Sequence, residues 1–66
     1  MTNGLYKTTK GYVIEVHRIR QTVEGDIVEC SLNEERQMTK LRSNDKGTFI
    51  EVRKNGKYYG RCYIFN

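Results

Sequence analysis

Long apolar runs are missing from this sequence. No stretch approaches the ~20 consecutive apolar residues that a membrane-spanning helix needs, and residues 1–7 lack the apolar centre of a secretion signal. A chain of 66 residues is also too short for more than one ordinary domain. We therefore expect a single small β-hairpin domain over residues 1–66, with a thin core, located in the cytoplasm and without membrane contact.

Metal ligands and catalytic groups are scarce. Two cysteines, Cys30 and Cys62, and one histidine, His17, cannot complete a four-ligand zinc site unless carboxylates or a second chain contribute. We expect both thiols to be reduced, because secreted mini-proteins of this size carry more disulfides. His17 is the only histidine available as base for a nucleophilic relay, and no Gly-rich phosphate loop occurs. The sequence thus favours a non-enzymatic protein with no cofactor.

Acidic residues are scarce in the second half of the chain. Residues 11–35 carry two bases and six acids, whereas residues 36–66 carry eight bases and two acids. The net charge of +4 therefore hides a strong asymmetry. We expect the C-terminal half to attract anions.

Alternating apolar residues predict two hairpins. Residues 12–20 and 27–32 alternate around a turn at Glu24-Gly25-Asp26. Residues 48–53 and 58–65 flank Asn55-Gly56, which is a strong signal for a tight hairpin turn. Residues 5–9 can add an edge strand.

Residues 33–42 have the composition of a helix. Asn33 can cap it, acids fall in its first turn and bases in its last. A run of about ten residues is too short to be stable alone, so it must dock on the sheet. We therefore predict a β-rich α+β fold: two antiparallel β-hairpins in a four- to five-stranded sheet, with one short helix between them.

The loop length of the second hairpin decides which side chains share a face. A two-residue loop pairs Val52 with Tyr59, which mixes apolar and charged groups on both faces. A three-residue loop with Gly56 as a bulge pairs Val52 with Tyr58 and separates the groups cleanly. We favour the three-residue loop.

The outer face of that hairpin is the candidate contact surface. Aromatic rings can stack on bases, and the cations between them can neutralise phosphates. Arg36 and Lys40, four residues apart, would add a basic ridge on the helix. The predicted contact residues are Phe49, Arg53, Lys54, Lys57, Tyr59, Arg61 and Tyr63, with Phe65 on the same face and Arg36 and Lys40 on the helix.

Two segments resemble pieces of the three-stranded DNA-binding domains of some integrases and plant ethylene-response factors. They are Gly4-Leu5-Tyr6 with Gly11-Tyr12, and the stretch from Val52 to Arg61. The resemblance implies that the sheet contacts DNA.

The sequence leaves two functions open. The first is a nucleic-acid-binding module. The second is a small accessory protein or inhibitor, of the kind made by phages and mobile elements, that binds a larger protein. Aromatic and arginine side chains also anchor protein interfaces, and burial of the aromatics in a homodimer would stabilise a thin core. An enzyme is the least favoured reading.

Overall fold

Seven β-strands and no helix make up residues 4–65, the part of the chain that the computed structural model describes. The side chain of Phe65 lies outside the described part. The strands are β1 (Gly4–Lys7), β2 (Val13–Thr22), β3 (Gly25–Leu32), β4 (Glu35–Lys40), β5 (Arg42–Asn44), β6 (Gly47–Lys54) and β7 (Lys57–Phe65).

The strands form two antiparallel sheets that follow chain order. β1 to β4 make the first sheet, and β5 to β7 make the second. Between them, the Leu41 amide still donates to the Asp26 carbonyl at 2.9 Å, so the chain passes from one sheet into the other without a loop. On the opposite side, the Thr9 amide donates to the Arg61 carbonyl at 2.7 Å. The sheets are therefore linked along both sides.

The core lies between the sheets and comes from both of them. Successive side chains of a strand point to opposite faces, so every second residue of the amphipathic strands is buried. The buried cluster is Ile14, Val16, Val28, Cys30, Leu32, Ile50, Val52, Cys62 and Ile64.

The predicted helix over residues 33–42 is wrong, and with it the α+β class, because the described chain is all-β. The predicted four- to five-stranded sheet is wrong as well, since the seven strands form sheets of four and three strands. Asn33 and Glu34 have φ of 52° and 68° and form a two-residue turn that pairs Leu32 with Glu35. Pairing with β3 gives the backbone of β4 its hydrogen-bond partners directly, whereas a ten-residue helix has no stability of its own. Residues 35–40 do show the alternating burial of a strand, because Gln37 and Thr39 are half-buried while their neighbours are exposed.

Both predicted hairpins form, but the predicted three-residue loop of the second is wrong. Lys54 pairs with Lys57, and Asn55 and Gly56 have φ of 53° and 80°, as in a type I′ turn. The extra residue is Tyr59, since Arg53 pairs with Tyr58 while Val52 already pairs with Gly60. This bulge, beyond the turn, returns the apolar residues of β6 and β7 to one face.

The two segments that resemble DNA-binding domains lie in different sheets. Residues 4–7 belong to β1 of the first sheet, whereas Val52 to Arg61 span the β6–β7 hairpin of the second. They do not form one three-stranded sheet together.

The link between the sheets requires a glycine at position 60. A Cβ there would lie 2.7 Å from Thr9 Oγ1, and the residue has φ of +103°. We expect Gly60→Ala to lower the free energy of unfolding by about 3 kcal/mol, from positive-φ strain plus steric overlap. Gly11→Ala is the matched control, because Gly11 has φ of +91° with no atom within 4 Å, and it should lose about 1 kcal/mol. Equal losses in urea unfolding would contradict the contact.

The β3–β4 turn holds Glu34 in a conformation that favours glycine. We expect Glu34→Gly to raise the free energy of unfolding by about 0.5–1 kcal/mol, because it relieves left-handed strain. Glu24→Gly, in the β2–β3 turn where Glu24 has no positive φ, should instead be neutral or destabilising. Thermal unfolding of both variants measures the change in stability that each substitution causes. If residues 33–42 were helical, Glu34→Gly would destabilise the protein instead.

Candidate functional site

Glu51 organises the outer face of the second sheet. Its carboxylate accepts a hydrogen bond from the Tyr58 hydroxyl at 2.5 Å and another from Arg61 Nε at 2.8 Å. The Tyr58 hydrogen bond lowers the pKa of Glu51, with Arg61 adding to the effect against partial burial. The same hydrogen bond raises the pKa of Tyr58. The charge of Glu51 is therefore committed to its own neighbours.

Phe49 is covered although it lies on the outer face. Only 5% of it is exposed, because the Arg61 guanidinium sits 4.4 Å from its ring centroid and the Tyr63 ring 5.3 Å from it. Hydrogen bonds from Asn44 and Arg61 lower the pKa of Tyr63. Phe49, Arg61 and Tyr63 thus pack against one another and against Glu51 and leave little ring surface for a ligand.

Rings and cations also contact one another beside the β6–β7 turn, in two sets, and Tyr12 and Tyr59 of the first set also pack against the core. Tyr12 and Tyr59 meet edge to face with centroids 4.7 Å apart, and Lys57 Nζ lies 5.8 and 5.1 Å from the two rings. The Tyr58 ring has Arg53 at 4.8 Å and Lys10 at 5.9 Å. We call this group the tyrosine–cation cluster; its members are Lys10, Tyr12, Arg53, Lys57, Tyr58 and Tyr59.

The loop between β1 and β2 brings Lys10 and Tyr12 to this cluster. Buried Thr8 holds the loop: its amide donates to the Tyr12 carbonyl at 2.7 Å, and its Oγ1 accepts from the Tyr12 amide at 3.1 Å. Thr9 then docks on β7 through a hydrogen bond from the Arg61 amide to Thr9 Oγ1, 3.0 Å long. Sequence reasoning missed Lys10 and Tyr12 because they join the hairpin from the far end of the chain.

Most basic side chains form no ion pair in the described part of the chain. Of the twelve bases, four form ion pairs there: Arg18 and Arg20 with Glu29, Lys54 with Glu35, and Arg61 with Glu51. Within residues 4–65, the other eight have no carboxylate within 4.0 Å. These eight are Lys7, Lys10, Arg36, Lys40, Arg42, Lys46, Arg53 and Lys57. All three cations of the tyrosine–cation cluster are among them.

The structure divides the predicted contact residues among four places. Arg53, Lys57 and Tyr59 join the tyrosine–cation cluster. Phe49, Arg61 and Tyr63 surround Glu51. Lys54 binds Glu35 at 2.6 Å. Arg36 and Lys40 are exposed on β4, on the outer face of the first sheet with Met38 between them.

Comparison with known proteins assigns no family. No family model, curated protein or solved structure matches this chain. The tyrosine–cation cluster is therefore interpreted from its own geometry.

The remaining polar groups offer little chemistry. His17 Nε2 lies 2.6 Å from Ser31 Oγ, but across residues 4–65 no carboxylate hydrogen-bonds to this ring to orient it, as a relay requires. Burial raises the pKa of both free thiols, that of Cys62 to about 11, so both are protonated near neutral pH. No cluster of three or more metal-ligating side chains, and no helix able to cross a membrane, occurs in the described part of the chain.

The interactions of Glu51 predict a pH dependence. The pKa of the Glu51 carboxyl is lower in the folded protein than in the unfolded chain. Glu51 therefore stabilises the fold at pH values above its unfolded pKa, and this stabilisation is lost as the pH falls through its folded pKa. We expect Glu51→Gln to lower the free energy of unfolding by about 1 kcal/mol at neutral pH. The gap to the wild type should narrow below about pH 4.

Glu15→Gln is the control, since Glu15 is exposed and has no ion pair within residues 4–65. It should follow the wild type throughout urea unfolding from neutral to acid pH. A Glu51→Gln deficit that stays constant down to pH 3 would exclude the proposed role of the charge.

Proposed function

We propose that this protein binds single-stranded nucleic acid through the tyrosine–cation cluster. The observation that supports this is two sets of contacts between rings and cations beside the β6–β7 turn, Lys57 with Tyr12 and Tyr59, and Lys10 and Arg53 with Tyr58. None of these cations has a carboxylate within 4.0 Å among residues 4–65. Rings supply stacking surface that every base can use, and cations supply sequence-independent attraction to phosphates. Both are needed for binding an unpaired strand.

The energies favour exchange of the cations for bases on the rings. An exposed cation–π contact is worth about 0.5–1 kcal/mol, whereas a base stacked on an aromatic side chain is worth about 1–3 kcal/mol. A lysine displaced from a ring also stays within reach of the adjoining phosphate. The contacts of Lys10 and Lys57 with the rings, at 5.9 and 5.1 Å, are therefore weak enough for a stacked base to replace them.

A single strand uses this surface better than a duplex does. Bases in a duplex remain stacked on one another, so a duplex would contact the cations but not the rings. The Glu51 hydrogen bond also fixes Tyr58 at its hydroxyl, which reduces the side-chain entropy lost when a base stacks on the ring.

A protein partner is the second candidate, and a different surface favours it. Leu5 and Val13 are 73% and 51% exposed on the outer faces of the neighbouring strands β1 and β2, and Met38 on β4 of the same sheet is 64% exposed. Exposed apolar side chains on one face of a sheet occur at protein interfaces. A stoichiometric protein complex lost on Met38→Lys, with no oligonucleotide binding, would favour this candidate.

Fluorescence anisotropy with a short labelled oligothymidylate tests the proposed function. We expect Lys10→Gln combined with Lys57→Gln to weaken binding about tenfold at low salt and to reduce the slope of log affinity against log salt by about 1.4. Tyr58→Leu should weaken binding about tenfold through lost stacking, whereas Tyr58→Phe, which keeps the ring, should change it much less.

Lys7→Gln combined with Lys46→Gln is the matched control, because it removes the same charge from unpaired lysines outside the cluster. It should change affinity no more than about twofold. Absence of binding by the wild type at low salt, or equal losses for the two lysine pairs, would eliminate the cluster as the site.

A further inference from the structure

A groove opens where the chain passes from the first sheet to the second. β4 runs alongside β6 on the side away from β7. On that side, only β5 pairs with the backbone of β6, from Arg42 opposite Phe49 to Asn44 opposite Gly47. Before Leu41, β4 pairs with β3 instead and separates from β6. Side chains bridge the gap: Thr39 Oγ1 donates to the Glu51 carbonyl at 3.2 Å.

The separation leaves a space of about 370 Å³, which we call the β4–β6 groove. It is bordered by polar and charged side chains with one apolar member. The lining residues are Gln37, Met38, Thr39, Lys40, Arg42, Glu51 and Arg53.

The charge in this groove is unbalanced. Lys40, Arg42 and Arg53 have no carboxylate within 4.0 Å in the described chain. Glu51 is the one acid in the lining, and its carboxylate already accepts hydrogen bonds from Tyr58 and Arg61. The groove therefore presents net positive charge to any ligand that enters it.

Two of the three cations are arginines, which bind phosphate oxygens through paired N–H donors. Arg42 on β5 lies opposite Phe49 on β6. Arg53 is four residues after Phe49 on β6 and lies on the same face, so it is about 13 Å further along the strand at the usual rise per residue. Cations spaced along a strand suit a chain of phosphates better than one compact anion.

Arg53 also connects the groove to the tyrosine–cation cluster. It lines the groove, and its guanidinium lies 4.8 Å from the Tyr58 ring centroid. A nucleotide stacked at Tyr58 would thus have its phosphate beside Arg53, at one end of the groove.

We propose that the β4–β6 groove binds the phosphodiester backbone of the same single strand whose bases stack on the tyrosine–cation cluster. This inference rests on the proposed function. It gives the strand a path from Tyr58 past Arg53 towards Lys40 and Arg42.

The test combines Lys40→Gln with Arg42→Gln and measures oligothymidylate binding across a salt series. We expect affinity to fall about tenfold and the salt slope to fall by about 1.4, since two phosphate contacts are lost. Lys7→Gln with Lys46→Gln is the control; it removes the same charge from two lysines outside the groove that form no ion pair among residues 4–65, and should leave the slope near that of the wild type. Thermal unfolding should show both double variants folded.

Oligonucleotide length and free phosphate provide the second measurement. Affinity should rise with length until the strand spans both regions, and the groove variant should lose this gain. A groove variant with unchanged slope, while the Tyr58 and Lys57 variants lose binding, would overturn the groove but leave the proposed function standing. Inorganic phosphate that binds the groove without competing against oligonucleotide would show a free-anion site and also overturn the inference. A wild type that binds no oligonucleotide would overturn both proposals.

Discussion

The backbone of Thr9 lies directly against Gly60 and Arg61 of β7, and the candidate site depends on this contact. Hydrogen bonds in both directions join Thr9 to Arg61, and the missing side chain of Gly60 permits the approach. The contact links the two sheets on the side opposite Leu41. It also places Lys10 and Tyr12 beside the tyrosines of β7. The same contact therefore joins the two sheets around the core and brings the rings and cations together.

The two halves of the aromatic surface have different roles because of one carboxylate. Glu51 engages Arg61 and Tyr58, and Arg61 in turn covers Phe49. The polar groups around Glu51 thus bond to one another, and these interactions stabilise the sheet. On the other side of Tyr58, Lys10, Arg53 and Lys57 have no carboxylate within 4.0 Å among residues 4–65, although Arg53 still contributes to lowering the pKa of Glu51. Ion pairing, more than residue type, separates structural cations from those available for binding.

The bend at Leu41 creates the second positively charged region. A straight strand would have paired with β6 along its whole length and filled the space that the β4–β6 groove occupies. Because the chain pairs first with β3 and then with β6, the backbones part on one side of Leu41. Lys40, Arg42 and Arg53 then border the gap between them.

Elements with strong local signals could be predicted from the sequence. Asn55-Gly56 specified a hairpin because both residues readily adopt positive φ, and alternation specified the buried aliphatic positions of β2, β3 and β6. It did not specify that Phe49, expected on the exposed face, is buried. The segregation of bases into the C-terminal half was also readable directly. Among the proposed contact residues, Arg53 and Lys57 follow from these signals.

The strand β4, the bulge at Tyr59 and the positions of Lys10 and Tyr12 depend on tertiary packing. Residues 35–40 have helical composition, and their inward positions are Gln37 and Thr39, so the period of two was hidden among polar residues until β3 supplied the pairing partner. The bulge at Tyr59 depends on which register best buries Ile50 and Val52 against the first sheet. Lys10 and Tyr12 reach the cluster through a contact some fifty residues away in sequence. Contacts of that separation depend on packing between distant segments, which local propensity does not encode.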